Sequence, residues 1–213
     1  MGCSNSVNQQ SVRVSPAKKS EIRISESVSR STFFSANLID QHPCDSMYSS
    51  FKIIMNGIQR IPRPHELDFI ACLTGTSFPL VTYSTCIEDK ENSHMVLPVI
   101  AVSIHGKGRV IAFGNFEILT ECKQENAEYF SFLENVLGYA AGHRPPSSTV
   151  YFLNVGHQDT FLLSHNLSGL GYHIESGNTA DKLSKYAVVV TYSMTRFENE
   201  LYEYIVNGGG VIV

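Results

Sequence analysis

The residues with the clearest chemical potential open the chain, in the run Met1-Gly2-Cys3-Ser4-Asn5-Ser6. A glycine after the initiator methionine and a serine at the sixth position fit the pattern for N-myristoylation. Cys3 stands where a second acyl chain is commonly attached. Two chains are needed for stable attachment, because one myristoyl group holds a protein only marginally on a bilayer. The spacing therefore predicts myristate on Gly2 and palmitate on Cys3.

Basic side chains follow this motif and would add attraction to anionic lipid. They are Arg13, Lys18, Lys19, Arg23 and Arg30. With Glu21 and Glu26 they give residues 1–30 a charge of +3, so the rest of the chain carries −7. This distribution predicts a peripheral, lipid-anchored protein at the cytoplasmic face of the plasma membrane. The alternative is a polar tail that matches the acylation pattern by chance.

Composition narrows the other classes of function. The chain of 213 residues has 16 basic and 20 acidic side chains and a net charge of −4, which argues against nucleic acid as a partner. The longest apolar run, 95–102, is far shorter than the about 20 residues of a membrane-spanning helix. The five cysteines form no C-x-x-C pair, which indicates reduced thiols in the cytoplasm.

Catalytic and metal-binding patterns are incomplete throughout the sequence. The eight histidines form no H-E-x-x-H pair, and no Cys/His group has zinc spacing. The run Gly106-Lys107-Gly108-Arg109 fails the spacing of a phosphate-binding loop and favours a tight turn. No nucleophile elbow occurs; Ser193 is expected to cap a helix, and Cys72 to be a small core residue within a strand. We therefore expect no catalysis, metal or cofactor in this chain.

Hydrophobic periodicity divides the chain into three parts. Residues 1–46 contain eleven serines and no sustained period, which predicts a disordered, Ser-rich, basic tail. Residues 47–146 predict a mixed α+β portion. Its expected helices cover 47–58 and 126–141, and its expected strands cover 69–73, 78–83, 96–104 and 109–113.

The third part, residues 147–213, alternates apolar strands with short helices. Strands are predicted at 150–155, 172–175 and 187–192 and again from 211, with helices over 160–170 and 195–206. Thr195 and Glu198 have the spacing of a capping box. Strands that are apolar throughout indicate a parallel sheet covered on both faces. Because the chain stops within the last strand, we expect an α/β domain that is incomplete at its C-terminus.

Several motifs occur in an order that resembles a known family. They are GKGRVIAFG at 106–114, FLENVLGY at 132–139, KYAVVV at 185–190 and YIVNGGGVI at 204–212. Through them, residues 50–213 resemble the N-terminal half of the TRP channel-associated factor family and of its enhancin-like mucin-peptidase relatives.

The resemblance implies a flavodoxin-like, class I glutamine-amidotransferase-like fold for the second half of the chain. In catalytic members of that wider fold, the nucleophile follows a strand that resembles the last strand predicted here. Because the sequence ends at this strand, no catalytic residue can be assigned to it from the resemblance. The peptidases of the group use an H-E-x-x-H motif that these residues lack. Gly114-Asn115-Phe116-Glu117 stands where relatives often have a histidine–acid pair after the strand.

Two functions remain open on this basis. The first is a non-enzymatic, membrane-tethered interaction or regulatory module that binds or regulates an ion channel, as channel-associated relatives do. The second is the accessory N-terminal region of a longer enhancin-like zinc metallopeptidase whose catalytic domain follows Val213. The acylation motif favours the first function.

Overall fold

The computed structural model describes residues 22–23, 42–66, 68–72, 75–86, 94–142 and 149–213. The α-helices in these residues are α1 (His42–Ile54), α2 (Glu117–Thr120), α3 (Ala127–Ala141), α4 (His157–Gly169) and α5 (Glu198–Val206). The strands are β1 (Ile22–Arg23), β2 (Arg60–Ile61), β3 (Ser77–Cys86), β4 (His94–His105), β5 (Gly108–Phe113), β6 (Thr149–Leu153), β7 (His173–Gly177), β8 (Val188–Val190) and β9 (Gly210–Ile212). Two single 3-10 turns occur at Leu183–Lys185 and Thr195–Phe197.

Seven of the strands form one mixed sheet in the order β3-β4-β5-β9-β8-β6-β7. Five neighbouring strands, β5, β9, β8, β6 and β7, are parallel. Strands β4 and β3 extend the sheet beyond β5, each antiparallel to its neighbour. Val211 of β9 pairs with Val110 of β5 on one side and Val189 of β8 on the other. Strands from residues 47–146 and from residues 147–213 are therefore hydrogen-bonded in a single sheet.

Alternate side chains of the parallel strands enter two hydrophobic cores. Val150 and Phe152 of β6 belong to the core that also contains side chains of α1, α3 and α4, whereas Tyr151 and Leu153 belong to the core beneath α5. Since both faces of β6, β8 and β9 are covered, almost every position on these three strands is apolar. The prediction of an α/β fold is confirmed, with the difference that the sheet is mixed.

The hairpin and the long helix follow the predicted pattern closely. His105 pairs with Gly108, so Gly106 and Lys107 form a two-residue turn, and Gly106 has a φ of 58° that suits glycine. The side chain of Asn126 caps α3 by accepting a hydrogen bond from the Tyr129 N–H (3.2 Å). The predictions of a tight turn and of a helix near 126–141 are confirmed.

The prediction of a strand at 69–73 is wrong. Residues 68–72 have no regular structure, and the Ile70 N–H makes one hydrogen bond to the Pro98 carbonyl of β4 (2.9 Å). Because Pro98 has no N–H to donate in return, the pairing does not continue as a ladder. Cys72 therefore lies outside any strand and is half-buried.

Three helix starts also differ from prediction. Helix α1 begins at His42, five residues before the predicted start, and α4 begins at His157 after Gly156. The capping box of Thr195 and Glu198 is wrong, because α5 is preceded by a 3-10 turn and its N-cap, Phe197, makes no side-chain cap. At the start of that turn the Ser193 Oγ accepts a hydrogen bond from the Thr195 N–H (3.3 Å).

Helix α3 and strand β9 approach each other at a position that only glycine fits. A Cβ on Gly210 would lie 2.0 Å from the Ala140 carbonyl oxygen of α3. Both sides of this contact are backbone in the middle of the fold, so neither can move aside cheaply.

We expect Gly210→Ala to lower the free energy of unfolding by about 3 kcal/mol, because the added methyl group forces α3 away from the sheet. Urea denaturation measures this change. Gly138→Ala is the matched control, since Gly138 lies on α3 with open space around it. That control should raise stability by about 0.5–1 kcal/mol through helix propensity. Equal effects of the two substitutions would contradict the close-approach argument.

Candidate functional site

The parallel strands end together at one edge of the sheet, and this carboxyl edge is the candidate site. Open α/β sheets bind ligands outside the carboxyl ends of their strands, at the point where the strand order reverses. Here the chain passes from β6 to β7 on one side and returns to β8 on the other. The segments that meet at the carboxyl edge follow β5, β6 and β8 and comprise residues 114–117, 154–159 and 191–195.

The segment after β6 bends sharply before α4 begins. Asn154 has a φ of 56°, a left-handed conformation that asparagine tolerates better than most residues. Its N–H donates to the Gly177 carbonyl at the end of β7 (2.8 Å). Asp159 follows in the first turn of α4, where a carboxylate is favoured by the helix dipole.

A tyrosine–carboxylate pair joins the loops after β6 and β8. The Tyr192 hydroxyl donates a hydrogen bond to Oδ2 of Asp159. Gly156 lies close to the same hydroxyl, since a Cβ added to it would be 3.0 Å from the Tyr192 oxygen. Burial, together with the acceptor carboxylate of Asp159, raises the pKa of Tyr192 to about 12. Tyr192 is thus a neutral hydrogen-bond donor at physiological pH, with 45% of the residue still exposed.

An aromatic contact joins the loop after β5 to the same tyrosine. The rings of Phe116 and Tyr192 meet edge to face, with centroids 5.1 Å apart and an interplanar angle of 80°. Because β9 lies between β5 and β8 in the sheet, the two rings meet beyond the carboxyl end of β9. The three loops of the carboxyl edge are therefore in mutual contact.

A histidine–acid pair lies beside Phe116, although neither partner was selected from the sequence as a site residue. Glu117 Oε2 accepts a hydrogen bond from the His65 N–H (2.6 Å), and Oε1 is hydrogen-bonded to Nδ1 of the same histidine. Burial alone would raise the pKa of Glu117, but these hydrogen bonds and the charge of His65 outweigh it and lower that pKa. With Nδ1 held by the carboxylate, Nε2 of His65 is presented to solvent.

Two further contacts fix the segment that carries His65. The Asn115 side-chain amide donates to the Glu66 carbonyl (2.9 Å), and its oxygen accepts from the Glu117 N–H (2.8 Å). A Cβ on Gly114 would lie 2.0 Å from the Asp68 carbonyl oxygen, so the two segments are in close backbone contact. His65, Glu66 and Asp68 are thus held across the carboxyl end of β5.

Most of the site residues predicted from the sequence lie outside the described residues. They are Gly2, Cys3, Arg13, Lys18, Lys19 and Arg30. Arg23 lies in β1, and its backbone pairs with Arg60 of β2. The prediction of an acyl anchor therefore stays a prediction.

Other histidine and cysteine side chains occupy ordinary structural positions. His157 and His165 are both exposed on α4, and Cys122 is buried in the main core, where burial raises the pKa of its thiol. Among the described ranges no three His, Cys, Asp or Glu side chains are grouped to hold a metal ion. Within the same ranges no helix combines the length and apolarity needed to cross a bilayer.

Comparison of the fold with solved structures finds metallopeptidases. No family profile matches this sequence, and no curated protein matches it. IMPa of Pseudomonas aeruginosa, in complex with an O-glycopeptide, is 13% identical with a TM-score of 0.54; the match covers 80% of this chain and 19% of IMPa. The IMPa metallopeptidase in complex with T-antigen is 14% identical with a TM-score of 0.55, and the coverage is the same.

This likeness establishes that the two proteins share a fold over only part of the larger protein. The chain spans about a fifth of the length of the solved structures that it matches. The neighbours agree with the enhancin-like part of the resemblance seen in the sequence, and the comparisons give no support to the channel-associated part. The α/β fold of this chain is therefore similar to one region of a much larger metallopeptidase.

We expect Glu117→Gln to lower the free energy of unfolding at pH 7 by about 1 kcal/mol, the usual worth of hydrogen bonds to a partly exposed carboxylate. Because the pKa of Glu117 is lowered on folding, its contribution is complete above the unfolded pKa of about 4.3 and is lost as pH falls through the folded value. The difference between wild type and variant should accordingly narrow below about pH 4 in denaturation experiments.

Glu121→Gln is the control for this measurement, since the Glu121 carboxylate forms an exposed ion pair with Lys123 (3.0 Å). We expect it to change stability by less than about 0.5 kcal/mol. If Glu117→Gln were as neutral as the control at pH 7, the pairing with His65 would contribute nothing to the fold.

Proposed function

We propose that this chain is a non-catalytic accessory region of a longer enhancin-like zinc metallopeptidase. The observation that carries the proposal is the fold shared with IMPa, at a TM-score of 0.55, over 80% of this chain and 19% of that protein. In this proposal the chain supplies structure or recognition, and another region of the protein supplies the zinc site. The partner of the whole protein would then be an O-glycosylated peptide, as in the IMPa complex.

The strand order supports a finer assignment of the fold. The order β7-β6-β8-β9 corresponds to positions 2-1-3-4 of a flavodoxin-like sheet. The fifth position is taken by β5, which comes from the preceding part of the chain and runs parallel to β9. We therefore assign the parallel strands to a flavodoxin-like, class I glutamine-amidotransferase-like fold with a substituted edge.

The hydroxyl groups of the carboxyl edge support a binding role over a catalytic one. Ser193 Oγ, which follows β8, is hydrogen-bonded to the hydroxyl (2.9 Å) and the N–H (3.3 Å) of Thr195. Tyr192 is engaged with Asp159. An activated nucleophile needs a base as its partner, and the partner of Ser193 is another hydroxyl group. The Tyr192 hydroxyl has a carboxylate as its partner, but its pKa is raised to about 12, so it stays protonated and joins two loops.

The protein made from the complete transcript tests this proposal. We expect it to contain an H-E-x-x-H motif with a downstream acid ligand, to bind zinc, and to cleave an O-glycosylated mucin-type peptide. Purified residues 1–213 should neither bind zinc nor cleave the glycopeptide. Deletion of residues 47–213 from the whole protein should lower its kcat/KM on the glycopeptide. A complete reading frame without the zinc motif would exclude this function.

A second candidate is a membrane-tethered interaction or regulatory module whose partner is an ion channel or other membrane protein. The observation that favours it is the acylation pattern in residues 1–6, followed by a segment of charge +3. Gly2 and Cys3 would carry the acyl chains at the cytoplasmic face of the plasma membrane. An anchor on that side would keep the chain away from secreted glycoproteins, so it favours this second candidate over the first.

Gly2→Ala tests the second candidate in a eukaryotic cell. We expect the full-length variant to move from the membrane fraction to the soluble fraction, while Cys3→Ser retains only weak, reversible binding through the single myristoyl chain. Ser4→Ala is the matched control and should remain membrane-bound. An unacylated N-terminal peptide in mass spectrometry, or an unchanged distribution of Gly2→Ala, would exclude the anchor.

A further inference from the structure

We propose that Asn56 is a site of spontaneous deamidation, in which the backbone nitrogen of Gly57 attacks the Asn56 side chain. The sequence contains two Asn-Gly pairs, Asn56-Gly57 and Asn207-Gly208. Glycine after asparagine favours this reaction, because no side chain hinders the approach of the backbone nitrogen. The fold separates the two pairs, since it leaves the first pair open and holds the second in place. The reaction requires neither of the functions proposed above.

The reaction begins when the Gly57 nitrogen loses its proton to a base in the solvent. The nitrogen then forms a bond to Cγ of Asn56, and the bond from Cγ to the side-chain nitrogen breaks. Ammonia leaves with a proton taken from water, and a five-membered succinimide ring remains. Water adds to one of the two ring carbonyl groups and breaks its bond to the ring nitrogen, which yields aspartate or isoaspartate. Asparagine is among the thermolabile residues of proteins.

The Asn56-Gly57 pair lies in the turn that follows α1. Both residues are exposed, and a Cβ added to Gly57 would meet no atom within 4 Å. Within the described part of the chain, neither the Gly57 N–H nor the Asn56 side-chain amide has a hydrogen-bond partner. The Gly57 nitrogen is therefore free to lose its proton, and the surrounding space accommodates the succinimide ring.

A contact from α3 makes the Gly57 N–H more acidic. The Asn135 amide donates a hydrogen bond to the Asn56 carbonyl (3.1 Å), which belongs to the same peptide group as the Gly57 nitrogen. A donor on the carbonyl oxygen draws electron density from the peptide nitrogen, because hydrogen-bonded groups polarise one another. The negative charge on the attacking nitrogen is thereby stabilised. The same amide binds the Ile54 carbonyl (3.1 Å), so the donor is fixed at the end of α1.

The Asn207-Gly208 pair is held by hydrogen bonds at the end of α5. The Gly208 N–H donates to the Ile205 carbonyl (2.8 Å), and the Asn207 side-chain amide donates to the Glu203 carbonyl (2.9 Å). Both bonds must break before the Gly208 nitrogen can attack the side chain. The usual net energy of a hydrogen bond predicts a rate about fivefold lower for each bond, or roughly thirtyfold lower for both.

Deamidation at Asn56 changes the charge and the length of the connection between α1 and β2. Either product carries a carboxylate at position 56. In isoaspartate the main chain passes through Cβ and Cγ, so the connection gains one carbon atom, and the former Asn56 carbonyl becomes the free carboxylate. Met55 and Ile58, on either side of the pair, are 6% and 7% exposed. The change in main-chain length is thus placed between two buried side chains.

Peptide mapping of the folded full chain, incubated at mildly alkaline pH, tests the proposal. Trypsin cleaves after Lys52, Arg60 and Arg196, so Asn56 lies in the peptide 53–60 and Asn207 in the peptide 197–213. Mass spectrometry measures the fraction of each peptide in which the amide has become an acid, and an isoaspartyl methyltransferase with a labelled methyl donor measures isoaspartate. We expect Asn56 to deamidate at least about tenfold faster than Asn207.

The same chain unfolded in guanidinium chloride is the first control. Both Asn-Gly pairs should then react at similar rates, because the unfolded chain holds neither of them. Asn56→Gln is the second control. It keeps the side-chain amide but requires a larger ring, so the folded variant should leave the peptide 53–60 unchanged over the same period.

Three results would overturn the proposal. The first is an equal rate at the two sites of the folded chain, including no reaction at either. The second is faster deamidation at Asn207. The third is a difference that persists at full size in guanidinium chloride, because the local sequence and not the fold would then be its cause.

Discussion

The fold depends on the pairing of β9 with β5 and β8, because this strand alone joins the two halves of the sheet. In the strand order, β3, β4 and β5 lie on one side of β9, and β8, β6 and β7 lie on the other. Val211 and Ile212 are almost completely buried, and burial of each such side chain is worth about 1.5–3 kcal/mol. The carbonyl of Ala140 closes over Gly210 and fixes α3 above the same strand. Three residues thus carry the junction between halves that are distant in sequence.

The geometry of the carboxyl edge is a consequence of this junction. With β9 between them, the loops after β5 and β8 are separated by one strand, a gap that the rings of Phe116 and Tyr192 bridge at 5.1 Å. Tyr192 then reaches Asp159 at the start of α4, and Glu117, next to Phe116, holds His65. The hydrogen bonds use carboxylates as acceptors, which makes them stronger than neutral pairs. The edge is thereby closed by side chains from four separate segments.

Local patterns predicted the elements well where a single segment determines the result. The apolar β-branched run that contains β8 and the capped, amphipathic α3 are examples, since periodicity and caps act within a few residues. The strand expected at 69–73 failed because Pro98 on a different strand limits its pairing. The pair of His65 and Glu117 spans 52 positions, and no spacing rule connects residues so far apart. Similarly, nothing in β5 or β9 alone indicates that they run parallel as neighbours.

The two proposed functions start from different observations, one from the fold and the other from the N-terminal motif. A shared fold constrains where the strands and helices lie, but function resides in sites that similar folds need not share. An acylation motif, in contrast, would determine where in the cell a protein lies, whatever fold follows it. Strand β1, which follows the acylation motif along the chain, pairs with β2, and β2 and α1 are both held on α3. Helix α3 covers one face of the sheet, whereas the carboxyl edge lies at the strand ends.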